Sequence, residues 1–195
     1  MLRKRVVSVV EGHGEVQSLP LLLRRLLLAR FPGDYVDVLR PIRAPRDKLV
    51  NDEKELARVL ALAQAKARDD GAILLLLDAD DDCPAELGNR MRLRCGKMTG
   101  VSRVGVVLAC REYESWFLAA ADSLAGYRGL PKNLTAPADP EVARDAKGWV
   151  RQHRGLYDSR LDQAALTSRI DLEAAERNSR SFRKLCSEIE TILTL

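Results

Sequence analysis

Ile73-Leu74-Leu75-Leu76-Leu77-Asp78-Ala79-Asp80-Asp81-Asp82 is an apolar run that ends abruptly in a crowd of aspartates. A continuous apolar run bounded by turn residues reads as a strand buried on both faces, the habit of parallel sheets. Val6-Val7-Ser8-Val9-Val10 repeats the pattern and ends in Glu11-Gly12-His13-Gly14-Glu15. Val104–Ala109 repeats it again and is followed by Glu112-Tyr113-Glu114. In an open parallel sheet, ligands gather beyond the carboxyl ends of the strands. All three acidic clusters are expected there. Crowded carboxylates repel one another unless a cation neutralises them, so the placement points to a Mg²⁺ (or Mn²⁺) site for phosphate chemistry.

Helical patterns fill the intervals. Glu15–Ala29 reads as a helix ending at Phe31-Pro32-Gly33, with Pro20 marking either the start of its regular part or a kink. Tyr35–Leu39 alternates like a strand nearer an edge. A helix capped by Asn51 or Asp52 runs to about Arg68 and stops at Asp69-Asp70-Gly71. Pro84–Arg94 is a helix with proline at its first position, and Arg111–Ala125 another. Alternation of this kind predicts an α/β fold, a mainly parallel sheet of about four strands between helices. Right-handed crossovers put the strand ends on one edge, and the loop Arg40–Arg46 brings Arg40, Arg43 and Arg46 to the same rim.

The texture changes near Gly126. Residues 1–125 read as the α/β core and 126–195 as a helical extension packed on it, with helices expected over Pro140–Gln152, Leu161–Arg169, Leu172–Arg177 and Ser181–Leu193. Asp139, Asp171 and Ser179 are their capping candidates.

Composition narrows the function classes. Across 195 residues the formal net charge is +4, which permits nucleic-acid binding without demonstrating it. Cys83, Cys95, Cys110 and Cys186 have no zinc-ligand spacing and read as reduced thiols, consistent with a cytoplasmic protein. The leucine-rich Leu19–Leu28 contains Arg24 and Arg25 and is shorter than the ~20 residues a membrane span needs. No membrane association is expected. No phosphate-loop, nucleophile-elbow or H-E-x-x-H signature occurs.

Each candidate has a plainer explanation beside the chemical one. Glu15 and Glu112 suit a helix N-terminus. His13 suits an exposed loop, and Asp82 a cap for the helix at Pro84. Four aspartates suit a turn, but their place after a fully apolar strand favours metal. Glu112 and Glu114 could instead pair with arginines. Arg90, Arg92, Arg94 and Lys97, then Arg144, Lys147, Arg151 and Arg154, read either as solvated helix faces or as phosphate contacts.

Val9-Val10-Glu11-Gly12 with Leu77-Asp78-Ala79-Asp80 resembles the Toprim domain of topoisomerases, primases and related nucleases. Those proteins carry a glutamate after the first strand and D-x-D after the third. Glu11-Gly12-x-x-Glu15 is similar to Toprim nucleases of the overcoming-lysogenisation-defect type, where the second glutamate joins a two-metal site. Arg111-Glu112-Tyr113-Glu114-Ser115-Trp116, and the tail from Tyr157 through Asp162-Gln163, Asp171 and Ser181-Phe182, resemble a bacterial Toprim-like family of unknown function often thought to be encoded beside an ATPase. The resemblance implies catalysis by Glu11, Asp78 and Asp80 and metal ligation by Glu11, Glu15, Asp78 and Asp80; Glu112 and Glu114 are further candidate ligands by their place after the last strand, one of them rather than both being expected to join. It implies a nuclease or related phosphoryl-transfer enzyme acting on nucleic acid; the alternative is a non-catalytic subunit that binds and regulates an ATPase partner. A D-x-D phosphatase of the haloacid dehalogenase type ranks last, because its motif follows the first strand. Topoisomerase activity needs a tyrosine in a separate domain, a context that Tyr113, Tyr127 and Tyr157 lack.

Overall fold

The computed structural model describes residues 4–68, 71–98 and 103–194. The expected Asp69-Asp70 stop falls partly outside them. Five parallel strands make one sheet: β1 (Lys4–Val10), β2 (Val36–Val38), β3 (Ile42–Arg43), β4 (Ala72–Asp78) and β5 (Val104–Ala109). Their order is β2-β1-β4-β5, with β3 pairing β1 beyond the end of β2. The fifth strand, β3, is the addition to the sequence reading, which treated 40–46 as a loop.

Side chains alternate across this sheet and build two cores. Val7, Val9, Ile73, Leu75 and Leu77 pack under α2 (Arg46–Asn51), α3 (Glu53–Ala67) and α4 (Pro84–Gly96). Val6, Val10, Leu74, Leu76 and Val107 pack on the other face against α1 (His13–Arg30), α7 (Ser159–Arg169) and α9 (Arg180–Thr194). Both faces are covered, as an all-parallel sheet requires. The extension shares the second core: Leu166, Phe182, Leu185 and Ile189 are buried in the same cluster as the strands.

Several boundaries move for local reasons. α1 begins at His13 and runs unbroken through Pro20. The expected helix Arg111–Ala125 shrinks to α5 (Ser115–Ala119) and a 3₁₀ turn, Ala121–Leu124. Arg111 takes a positive φ of 64° and Glu112 N–H closes a turn onto Cys110 O, so the helix cannot begin there. The expected helix from Pro140 starts later, as α6 (Ala146–Arg154), where the Asp145 side chain caps Gly148 N–H. Asp139 closes a turn onto Glu141 N–H instead. Asp171 caps α8 (Leu172–Asn178), and Ser179 Oγ accepts Phe182 N–H at the start of α9. Among the described residues, no helix is long and apolar enough to cross a membrane.

Candidate functional site

The carboxyl ends of β1, β4 and β5 carry Glu11, Asp78 and the 112–114 turn. Glu11 Oε1 accepts Asp78 N–H at 2.7 Å, which joins the first two strand ends directly. Asp78 Oδ1 accepts Tyr113 N–H at 2.8 Å, which joins the third. The three clusters therefore meet at one edge, and backbone amides fix their orientation.

Behind this line lies a buried layer. Glu15 projects from the first turn of α1 and is 6% exposed; Glu114 is fully buried. Gln163 of α7 donates through Nε2 to both Glu15 Oε1 and Glu114 Oε1, each at 3.1 Å. Ser18 Oγ orients that amide by donating to Gln163 Oε1 at 2.8 Å. Tyr157 O–H donates to Glu114 Oε1 at 2.7 Å. Glu15 Oε2 and Glu114 Oε2 are buried and accept no hydrogen bond among the described residues. A buried carboxylate oxygen left without a donor is costly; at Glu114 Oε2 the charge of Lys147 Nζ, 3.6 Å away, offsets part of that cost.

Lys147 of α6 is the cation of this layer. Its Nζ lies 3.0 Å from Glu112 Oε1, 3.6 Å from Glu114 Oε2 and 3.7 Å from Asp78 Oδ2. Only the first is a hydrogen bond; the others are charge attraction. Lys147 N–H also donates to Glu112 Oε2 at 2.9 Å. The electrostatics follow the crowding. Burial, then the charges of Glu11, Glu114 and Glu15, push Asp78 well above the ordinary aspartate value against the pull of Lys147. Burial also raises Glu11 and Glu114. Burial works against the Lys147 ammonium, yet Glu114, Asp78 and Glu112 together raise its pKa.

Asp80, Asp81 and Asp82 stand apart from that layer. Asp80 lies near enough to Glu11 to help raise its pKa, but its carboxylate faces Arg46 Nε at 3.3 Å and is more than half exposed. Arg46 also donates to Asp78 O and to Asp82 Oδ2. Asp82 is thus held by Arg46, and Cys83 takes the N-cap position of α4. Asp81 pairs with Arg111 at 2.5 Å. His13 is exposed and Tyr113 fully buried. Arg43 reaches Glu11 O at 3.3 Å, so two of the three rim arginines touch the site. Arg92 and Arg94 are structural anchors, on Glu188 and on Leu49 O and Val50 O.

Sequence reasoning did not place Lys147, Gln163, Ser18 or Tyr157 among the carboxylates. Lys147 looked like one cation in a helical row. Tyr157 and Gln163 lay in the tail that carried the family resemblance, which was the available signal.

Mg²⁺ takes hard oxygens, commonly one or two carboxylates with water and phosphate completing the shell. The carboxylates here are that donor type, and the two undonated buried oxygens are where a hard cation would relieve them. Among the described residues, no group of three His, Cys, Asp or Glu side chains is gathered closely enough to cage an ion. The donor chemistry fits; the shell would need oxygens from elsewhere.

Fold and site define a parallel α/β domain with a carboxylate cluster at the carboxyl edge of its strands. The chain belongs to the family described as Domain of unknown function (DUF4276), which it matches over residues 10–190. No curated protein and no solved structure matches it.

Proposed function

We propose that this is a Mg²⁺-dependent, Toprim-like phosphoryl-transfer enzyme that hydrolyses phosphodiesters of nucleic acid. The observation that carries the reading is the cluster of Glu11, Glu15, Asp78 and Glu114, with two buried carboxylate oxygens that no donor satisfies. One or two of Glu11, Glu15, Asp78 and Glu114 would hold the ion, with water and substrate oxygens completing its shell. When bound, Mg²⁺ supplies Lewis-acid polarisation of a phosphoryl oxygen and lowers the pKa of water. Glu11 is anchored through Oε1, and its raised pKa moves it towards the range where a carboxylate serves as general base. Lys147, hydrogen-bonded to Glu112 and attracted by Asp78 and Glu114, would donate to a phosphate oxygen of the substrate. Arg43 and Arg46 at the rim favour an anionic substrate.

The test is cleavage of plasmid DNA, single-stranded DNA and RNA with Mg²⁺, Mn²⁺ or chelator. Cleavage is expected with metal and is lost in Glu11→Gln and Asp78→Asn. A folded wild-type protein that cleaves none of the three with either metal sinks the enzymatic reading.

One arrangement favours a second reading, a non-catalytic subunit that regulates an ATPase partner. Lys147 already neutralises part of the cluster, and Arg46 already holds Asp80 and Asp82. Calorimetry separates the two: a regulatory subunit leaves nucleic acid intact, and Asp78→Asn does not alter its capture of the ATPase.

A further inference from the structure

The cavity between α4, α9 and the outer edge of β5 lies outside the carboxylate cluster. Its volume is about 430 Å³, within the range of small-molecule pockets. The lining is mostly apolar: Pro84, Ala85 and Gly88 on one wall, and Val106 and Leu108 on the floor, with Cys83 and Cys110 at one end.

The edge of β5 explains why the floor is polar in one place. Arg103 O and Ala109 O accept from β4, so odd-numbered residues of β5 face β4 and even-numbered ones face outwards. At Val106 the outward N–H is taken by Glu188 Oε2 at 3.2 Å. At Leu108, inside the cavity, no described residue hydrogen-bonds the outward N–H or C=O. A nearly buried backbone N–H without a partner is rare. Glu188 has closed one half of an edge strand, and the other half opens into a cavity.

Charge at the rim has one sign in excess. Arg92, Arg180 and Lys184 line the cavity with one acid, Glu141, and the buried Glu188 beyond the lining pairs with Arg92 and Lys184. Arg180 and Lys184 are exposed and pair with the buried carboxylates of Glu141 and Glu188, so a ligand anion would share these cations with their partners. α4 opens onto the same space with proline at its first position and no side chain capping its first turn. The amides of Ala85 and Glu86 therefore add to the positive field.

We propose that this cavity binds an amphipathic anion: one carboxylate or phosphate head on a medium-length apolar body. The head faces Arg180, Lys184 and the open turn of α4. The body lies on Ala85, Gly88, Val106 and Leu108, and an oxygen of the head takes the Leu108 N–H. The site is independent of the phosphoryl-transfer reading.

The experiment titrates the full chain with octanoate, following amide shifts by NMR and affinity by calorimetry. Acetate, octanol and octylammonium are the controls. Octanoate is expected to bind saturably and to move the Leu108 and Ala85 amides, with each control roughly tenfold weaker or worse. Gly88→Leu and Ala85→Phe fill the cavity and should abolish binding. Gly88 tolerates a Cβ, at 3.4 Å from Leu108, and Ala85 is exposed, so one folded variant is secured. Arg180→Ala should weaken octanoate but not octanol. The proposal is overturned by non-saturable octanoate binding, by acetate or octylammonium matching octanoate, or by full binding in a folded cavity-filled variant.

Discussion

At Asp78, burial and the carboxylates of Glu11, Glu114 and Glu15 together outweigh the opposing charge of Lys147 and favour the protonated acid. Glu11 and Glu114 are raised too, so all three have folded pKa values above their unfolded ones. The folded chain then keeps protons that the unfolded chain has released. Stability from these groups falls as pH rises, from the ordinary carboxylate value up to the raised folded one. Asp78→Asn keeps an acceptor for Tyr113 N–H and removes its share of that loss. In chelator, the variant's Tm should match the wild type at acid pH and exceed it as pH rises above the ordinary aspartate range. Parallel Tm curves would show that Asp78 is not strained in the folded state. Added Mg²⁺ should raise the wild-type Tm and leave the variant's nearly unmoved. Gly12 is a second test at this scale. A Cβ there would sit 2.1 Å from Glu15 Oε2, so a side chain at this position would push the buried Glu15 carboxylate away from Gln163. Gly12→Ala should cost about 1–3 kcal/mol in denaturant unfolding and weaken metal binding with it. The group that approaches Gly12 so closely is the chain's own Glu15 carboxylate.

Elements differ in how openly the sequence declared them. The strands β1, β4 and β5 are long apolar runs with acids at one end, so their type, direction and shared edge could all be read. The strand β3 has two residues and exists because Val9 and Val10 of β1 pair with Ile42 and Arg43; no local pattern encodes that. The short helix α2 buries only Leu49 and Val50 and has no capping side chain, so it left no periodic signal. The helix α5 was overestimated because a buried segment is apolar whether or not it is helical, and Arg111's left-handed turn is a backbone event. The pairing of α9 with β5 is a tertiary device of the same kind. Buried Glu188 accepts from Val106 N–H and pairs with Arg92 and Lys184. It thereby protects an edge strand that would otherwise offer its amides to another chain. Glu188→Ala should lose about 1–3 kcal/mol by chemical denaturation and increase concentration-dependent self-association, which light scattering would detect. An unchanged midpoint would mean that the edge is covered by packing alone.

At the scale of the whole molecule, the division at residue 125 follows a change in texture but not a boundary in the packing. Leu166, Phe182, Leu185 and Ile189 share one core with Val6, Leu23, Leu74 and Val107. Arg25 of α1 donates to Thr167 O and Ile170 O, so the two parts are also tied by hydrogen bonds. The site depends on the same union. The first part supplies the carboxylates, which a sequence can display as motifs. The second supplies Lys147, Tyr157 and Gln163, which reach them only through folding and resemble ordinary surface residues until they do. That is why the acids were legible and their partners were not. A chain cut after Ala125 should therefore fail twice. Its sheet would expose the face that α7 and α9 cover, and its crowded carboxylates would lose their one lysine and their shared amide. The expected result is a fragment with little cooperative thermal transition by circular dichroism and fast amide exchange in β4. Gln163→Ala in the full chain separates the two failures. It removes the amide donor from Glu15 and Glu114 while leaving the core intact, so cooperative unfolding should persist with a Tm lowered by the loss of buried hydrogen bonds, on the order of 1–3 kcal/mol. If the fragment unfolds cooperatively with a native Tm, the extension is an appendage and the single core is refuted. If Gln163→Ala unfolds the chain outright, the amide is a structural keystone rather than a partner of the site.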